Sequence, residues 1–194
     1  MNTSSNMSSC DNGLIDISGI CDPENTTEVI REYPYWKQMY LSESLEIPPQ
    51  KPDVEQINSI VASVNILKKT VIVTPRSYND SGTTPIPLPN LEGKLLTGRK
   101  LLIEGQICQQ IEYTANITTQ PVHSVEFFVP FSSYIVIPET VELTVGTQTV
   151  SFDSLDVDFD VNACLEDIRA CLLDERRILK QVTMLLYAVP IGAN

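Results

Sequence analysis

The chain has 194 residues, of which 42% are hydrophobic and 20% are charged. A globular chain of this length buries enough surface to fold as one domain without a structural metal or a disulfide. Its formal net charge of -12 repels phosphate backbones, and its basic residues form only isolated pairs, so we expect no nucleic-acid partner. No stretch approaches the roughly 20 apolar residues of a membrane span, so we expect no membrane partner. The first residues lack the basic and apolar regions of a secretory signal, which predicts synthesis in a cytosol.

Residues 1–26 differ in composition from the rest of the chain. They contain four acidic residues, no Lys or Arg, many Ser, Thr and Asn residues, and one apolar patch. One interpretation is a disordered tail. The other is an arm that adds a short strand to a neighbouring subunit, because the patch has no obvious place in its own core. In that case the anchoring residues are Leu14, Ile15, Ile17 and Ile20. We therefore predict an N-terminal arm over residues 1–26 and one domain over residues 27–194.

Alternation of apolar and polar side chains is clearest in residues 99–117. A two-residue period over such a length is typical of a strand with one buried face. Shorter alternating stretches occur at residues 60–66, 71–73, 125–131, 141–145 and 155–161. We expect a connection at residues 67–69 and a proline-rich loop at residues 75–93. Together these features predict an all-β fold, an antiparallel β-sandwich of the jelly-roll or Ig-like kind.

The C-terminal segment, residues 163–189, is ambiguous by pattern. Its Ala, Leu, Glu, Arg and Lys content suits a helix. Yet apolar residues also alternate in it, and residues 173–176 could form a turn between two strands. The pattern leaves both interpretations open.

The sequence gives little support for a catalytic or metal-binding site. His123 is the only histidine, and its setting is a strand entry, so no nucleophile–base pair can be assembled around it. Asp156, Asp158 and Asp160 imitate part of a calcium loop, but Val161 stands where such a loop needs glycine. The acidic residues are more simply the solvated face of a strand. We predict that the protein is not an enzyme and has no metal or cofactor.

The five cysteines form no paired zinc-binding motif. One interpretation is that they are reduced and buried as small hydrophobic residues. The other is that they link subunits once the protein meets an oxidising environment. Cys108 lies on the polar face of the strand at residues 99–117, so it should face outward. The candidates for intersubunit links are Cys10, Cys21, Cys108, Cys164 and Cys171.

Several strings of the sequence resemble one known family. They are IPPQKPDVEQI at 47–57, EGKLLTGRKLLIEG at 92–105, QPVHSV at 120–125, VPF at 129–131 and LLDER at 172–176. In this order they resemble the SPOCS domain, found in spore-envelope proteins of anaerobic spore-forming bacteria, over roughly residues 36–189. The resemblance favours a β-hairpin for the C-terminal segment.

The resemblance implies a β-rich, non-catalytic module used in assembling the spore coat or exosporium. Some members of the family carry a peptidoglycan-binding LysM module after this domain, and we expect none here. We therefore expect a self-assembling structural subunit of a spore-surface layer, filament or appendage. It would be made in the mother-cell cytosol and would have itself, and other spore-envelope proteins, as partners. The alternative is a non-polymeric adaptor that binds other spore coat proteins.

Overall fold

The computed structural model describes residues 15–90 and 92–193. These residues form eleven strands and one helix. In chain order the elements are β1 (Asp16–Ser18), α1 (Pro23–Glu32), β2 (Trp36–Glu46), β3 (Val54–Tyr78), β4 (Pro85–Ile86), β5 (Leu88–Pro89), β6 (Leu95–Ala115), β7 (Val122–Ile137), β8 (Thr140–Val145), β9 (Gln148–Asp153), β10 (Val157–Asp174) and β11 (Arg177–Ala193).

The first sheet is built on three long antiparallel strands, with β6 between β3 and β7. Strand β1 pairs in parallel with β3, while β4 pairs with β3 and β5 with β6. The odd-numbered residues of β6 from 99 to 115 are buried and most of its even-numbered residues are partly or fully exposed, as the alternation predicts. The central strand of the sheet is thus the one with the clearest sequence pattern.

The second sheet has the order β10, β11, β2, and all its pairs are antiparallel. Strands β10 and β11 form the hairpin that the family resemblance favours, so the helical interpretation of this segment is wrong. Asp174 stabilises the turn, because its Oδ1 accepts hydrogen bonds from the N–H groups of Arg176 and Arg177 at 2.9 and 2.8 Å. Strands β8 and β9 form a separate hairpin.

The hydrophobic core lies between the two sheets. Ile103, Ile107 and Ile111 of β6 are fully buried, and so are Ile168 of β10 and Met184 of β11. Burial of one such side chain contributes about 1.5–3 kcal/mol. The prediction of an all-β antiparallel sandwich is confirmed.

Several element boundaries differ from those that the sequence predicts. Strand β3 extends to Tyr78, and the two-residue strands β4 and β5 lie within residues 75–93, where we expected a loop. Strand β3 runs through residues 67–69, where we expected a connection, and a register shift between Ile66 and Lys68 absorbs an extra residue. A β-bulge of this kind interrupts alternation without ending the strand. Helix α1 crosses residue 26, where we divided the arm from the domain.

The described part of the N-terminal arm lies on its own chain. Asp16, Ile17 and Ser18 pair in parallel with Ser59, Ile60 and Val61 of β3. The expectation that this patch has no place in its own sandwich is therefore wrong. The edge of β3 is available in the same chain, and backbone pairing at an edge needs no particular sequence.

Candidate functional site: the fastened N-terminal segment

Gly19 brings the N-terminal segment into close contact with β3. Its φ is +97°, and a Cβ atom there would lie 1.8 Å from the carbonyl oxygen of Ala62. Only glycine combines this backbone conformation with so close an approach. The chain can therefore turn away from β3 immediately after the last residue of β1.

The segment then attaches to the second sheet. The N–H of Cys21 donates to the carbonyl oxygen of Leu165 in β10, at 3.0 Å. Cys21 also forms a disulfide with Cys164, with Cα atoms 5.4 Å apart and a sequence separation of 143. Residues 15–21 thus connect β3 of one sheet to β10 of the other.

Helix α1 begins directly after this attachment. Asp22 is its N-cap, since the carboxylate accepts a hydrogen bond from the N–H of Glu24 at 3.0 Å. The helix ends at Glu32, two residues before Pro34, which cannot continue it. Between the helix and the second sheet lies a partly open cavity of about 340 Å³, lined among others by Ile20, Ile30, Trp36, Cys164 and Leu185.

The predicted anchors divide into three groups. Leu14 lies outside the described residues. Ile15 and Ile17 are partly buried against the core. Ile20 is 43% exposed and borders the cavity beside α1. The two anchors that face the core are therefore Ile15, directly before β1, and Ile17, within it.

Three of the predicted cysteines form disulfides in the structure. Cys21 and Cys164 pair within the chain, and Cys171 is also disulfide-bonded. Cys164 and Cys171 lie opposite Leu185 and Leu179, which are six residues apart on β11 and share a face. Their odd spacing predicts opposite faces, but a register shift between Leu165 and Asp167 brings both to one face.

Cys108 is the free thiol of the described residues. It is half-buried on the outer face of the first sheet, between Ser63 of β3 and Phe128 of β7. Its sulfur accepts a hydrogen bond from Asn65 Nδ2 at 3.3 Å. This outward placement agrees with the alternation of residues 99–117. Cys10 lies outside the described residues, and cross-linking of subunits through any of the five remains a prediction.

The other candidate groups have structural contacts. The His123 ring stacks on the ring of Tyr113, with centroids 5.9 Å apart. Asp158 forms an ion pair with Lys69 at 2.9 Å. In residues 15–90 and 92–193, no three His, Cys, Asp or Glu side chains come together as metal ligands. No helix in those ranges is both long and apolar enough to cross a membrane.

A buried polar cluster in the core was missed by the sequence patterns. Lys180 of β11 is fully buried, and its Nζ lies 3.2 Å from Oε1 of Glu43 on β2. Nζ also donates a hydrogen bond to Oε1 of Gln109 on β6. Burial lowers the pKa of Lys180, although the Glu43 carboxylate opposes this shift. Position 180 lies on the same alternating face as the buried residues Ile178 and Val182. This alternation was the sequence signal that could have identified Lys180 as buried.

A scan against protein-family models matches residues 53–169 to the family described as SipL, SPOCS domain. No curated protein and no solved structure matches the chain. The family match covers more than half of the chain and indicates a spore-associated protein. Together with the β-sandwich built from these residues, it shows that the chain belongs to the SPOCS-domain family.

Proposed function

We propose that the protein is a self-assembling structural subunit of the spore envelope, in which neighbouring copies exchange their N-terminal arms. The assembly is a layer or filament of the spore surface, in the coat, the exosporium or an appendage. The protein is made in the mother-cell cytosol and deposited on the forespore. It is not an enzyme, its main partner is another copy of itself, and it binds neither nucleic acid nor membrane.

The docking of residues 15–21 is the observation that carries this proposal. The segment contacts β3 through three paired residues, and β10 through one backbone hydrogen bond and one disulfide. An arm from another copy can make each of these contacts with the same geometry. Exchange therefore changes few contacts, and protein concentration decides which form is populated. In this proposal the edge of β3 always pairs with an arm, which comes either from the same chain or from a neighbouring copy.

The connection between α1 and β2 is the natural hinge for this exchange. Residues 33–35 follow the helix without regular structure, and Pro34 favours an extended backbone at Tyr33. If the hinge opens, α1 and the arm leave together and can reach the next copy. When each copy gives its arm to the next in head-to-tail order, the chain of subunits does not close and a filament results.

Disulfides make the exchange irreversible in this proposal. Thiols stay reduced in the cytosol and oxidise after release from the mother cell. An exchanged arm would then form Cys21–Cys164 between two chains rather than within one. Cys10 and Cys108 are the further candidates for links between subunits, whereas Cys171 is already disulfide-bonded and would link subunits only by exchange of that disulfide.

Mixed isotopic labelling tests the proposal directly. Equal amounts of unlabelled and ¹⁵N-labelled protein are mixed under reducing conditions, concentrated, oxidised and then digested without reductant. We expect a Cys21–Cys164 linked peptide pair that carries one light and one heavy partner, together with polymers in negative-stain images. A chain that begins at residue 23 is expected to stay monomeric, while the Cys108→Ser variant still exchanges. Polymers without mixed-isotope pairs would exclude arm exchange.

A non-polymeric adaptor is the second candidate. The outer face of the first sheet carries a shallow depression of about 250 Å³ next to Cys108, bordered by Val61 and Phe128, which are 50% and 61% exposed. Exposed apolar side chains grouped in this way are typical of a binding surface. Protein that remains monomeric at every concentration, oxidised or reduced, would favour this candidate.

A further inference from the structure

The cluster of Lys180, Gln109 and Glu43 joins the two sheets at the centre of the sandwich. Lys180 and Glu43 are directly opposite each other on β11 and β2 of the second sheet. Gln109 belongs to β6, the central strand of the first sheet. Lys180 is 0% exposed, Gln109 is 3% exposed, and the Glu43 side chain is 12% exposed. A carboxamide, an amine and a carboxylate therefore meet in a largely apolar core.

The hydrogen bonds of the cluster are incomplete. Lys180 Nζ donates to the carboxamide oxygen of Gln109, but Gln109 Nε2 has no hydrogen-bond partner in the described part of the chain. Neither carboxylate oxygen of Glu43 has a hydrogen-bond partner among the same residues, although Oε1 lies 3.2 Å from Lys180 Nζ as an ion pair. Buried polar groups without partners are rare in folded proteins, because each lowers stability by about 1–3 kcal/mol. An arrangement that leaves Nε2 of Gln109 unpaired is therefore unfavourable, unless this nitrogen is later released from the side chain.

We propose that Lys180 and Gln109 form an intramolecular amide bond after folding, with Glu43 as the proton carrier and ammonia as the leaving group. A nitrogen that hydrogen-bonds the carboxamide oxygen also lies close to Cδ, the carbon that it would attack. Holding two reacting groups together in this way is equivalent to an effective concentration of about 10⁵–10⁸ M. The core also excludes water, which would otherwise compete by hydrolysis.

The protons and electrons balance without any co-reactant. The Nζ–Cδ bond forms and the Cδ–Nε2 bond breaks, with no change of oxidation state. Glu43 takes two protons in turn from the Lys180 ammonium and delivers them to Nε2, which departs as ammonium. Glu43 is again a carboxylate at the end, and the lysine charge has left the core with the ammonium ion.

The desolvation of Lys180 supports the first proton transfer. Burial lowers the pKa of its ammonium group, and a neutral amine is the nucleophilic form of lysine. The product removes a buried charge and joins β11 to β6 by a covalent bond. Such a bond would hold the two sheets of the sandwich together when the rest of the fold is stressed.

Intact mass of the full chain is the decisive measurement. The protein is folded, incubated at neutral pH, then reduced, alkylated and denatured so that disulfides do not contribute. We expect a mass lower than that of the fully alkylated sequence by one ammonia molecule, and a branched peptide that contains both Gln109 and Lys180. A mass equal to that of the fully alkylated sequence, unchanged after prolonged incubation of the folded protein, would overturn the proposal.

Three variants separate this bond from other losses of ammonia. Lys180→Met and Gln109→Met are expected to keep the full mass. Gln110→Glu changes the exposed neighbour of Gln109 and is expected to lose ammonia as the parent chain does. Ammonia loss that persists in Lys180→Met would show that it arises elsewhere, for example at an asparagine, and would overturn the assignment.

Glu43→Gln tests the proton carrier. General acid–base catalysis contributes typically 10²–10⁴-fold, so we expect the bond to form slower by about that factor in the folded variant. The rate is followed by intact mass at successive times after refolding, with near-ultraviolet circular dichroism to verify the fold. An unchanged rate in a folded Glu43→Gln protein would exclude Glu43 from this role.

Discussion

The two sheets of the sandwich are joined by different contacts along their two sides. Where β3 and β10 approach each other, residues 15–21 bridge the sheets with paired backbone, a hydrogen bond and a disulfide. Lys69 adds an ion pair to Asp158 and a hydrogen bond to the carbonyl oxygen of Phe159. Where β2 and β7 approach, Lys37 Nζ lies 4.1 Å from the ring centroid of Tyr134. Among the described residues, β2 pairs only with β11 and β7 only with β6.

This difference identifies which side of the molecule resists opening and which can accept a partner. Unpaired strand edges are templates for association, and the facing edges of β2 and β7 have no bridging segment in the described fold. On the opposite side, the edge of β3 at residues 59–61 is available only if the N-terminal segment leaves. The predictions below test how firmly that segment is held.

Removal of the disulfide should have the largest effect. We expect the double variant Cys21→Ser, Cys164→Ser to lose about 2–5 kcal/mol in the free energy of unfolding, because the bridge restricts a long stretch of the unfolded chain. Denaturant unfolding without reductant measures this loss. Cys108→Ser is the matched control, since Cys108 is a free thiol, and should change stability by less than about 0.5 kcal/mol. Equal effects in both variants would mean that the bridge does not hold the segment.

A side chain at residue 19 should release β1 from β3. Gly19→Val places a Cβ against the carbonyl oxygen of Ala62, so we expect faster amide hydrogen exchange at residues 16–18 and 59–61. Gly82→Val is the control, because Gly82 also has positive φ, at +69°, but a Cβ atom there would meet no other atom within 4 Å. Both variants carry left-handed backbone strain of about 1–2 kcal/mol, and only Gly19→Val should lose more. Unchanged exchange at residues 59–61 would contradict the pairing of β1.

Acid should weaken the bridged side by a small amount. The hydrogen bond from Lys69 holds the pKa of Asp158 below its ordinary value of 3.8, so this contact stabilises the fold above that pH. The contribution is lost as pH falls through the lowered pKa of the folded state. Because Asp158 is half exposed, the effect should stay below about 1 kcal/mol.

Stability measured from pH 6 to pH 2 checks this dependence. In Asp158→Asn the contribution of this contact disappears, so the stability curve falls less steeply at low pH. Lys37→Ala is the control on the other side of the sandwich and should shift stability equally at every pH in this range. A curve for Asp158→Asn that follows the parent chain would exclude the ion pair as a source of acid sensitivity.

Strands with one buried face were predictable from sequence because alternation is a local property. In β6, every second side chain from 99 to 115 is buried, and the prediction was made from those residues alone. The bulge at Ile66 could not be predicted in the same way, since the pattern of a bulged strand resembles that of two strands. The C-terminal hairpin was ambiguous for a related reason, because its residues suit a helix by propensity and only strand pairing excludes it.

The candidate site was less predictable than the fold. Composition distinguished residues 1–26 and their two cysteines from the rest of the chain, and alternation placed Cys108 on the outer face. The pairing of Cys21 with Cys164 depends on a contact between residues 143 apart in sequence. No local pattern encodes such a distance. Lys180 was overlooked because a lysine between apolar residues is usually taken as solvent-exposed.

The sequence by itself determined the fold class, the faces of the strands and the family, because each depends on short-range order along the chain. Only the tertiary structure decided where the arm docks, which cysteines meet and that an amine, a carboxamide and a carboxylate share the core. These contacts join residues that are far apart in the sequence, and they arise from how two surfaces with similar alternating patterns pack together. Alternation states which side chains point inward, but it does not state which of them will be neighbours.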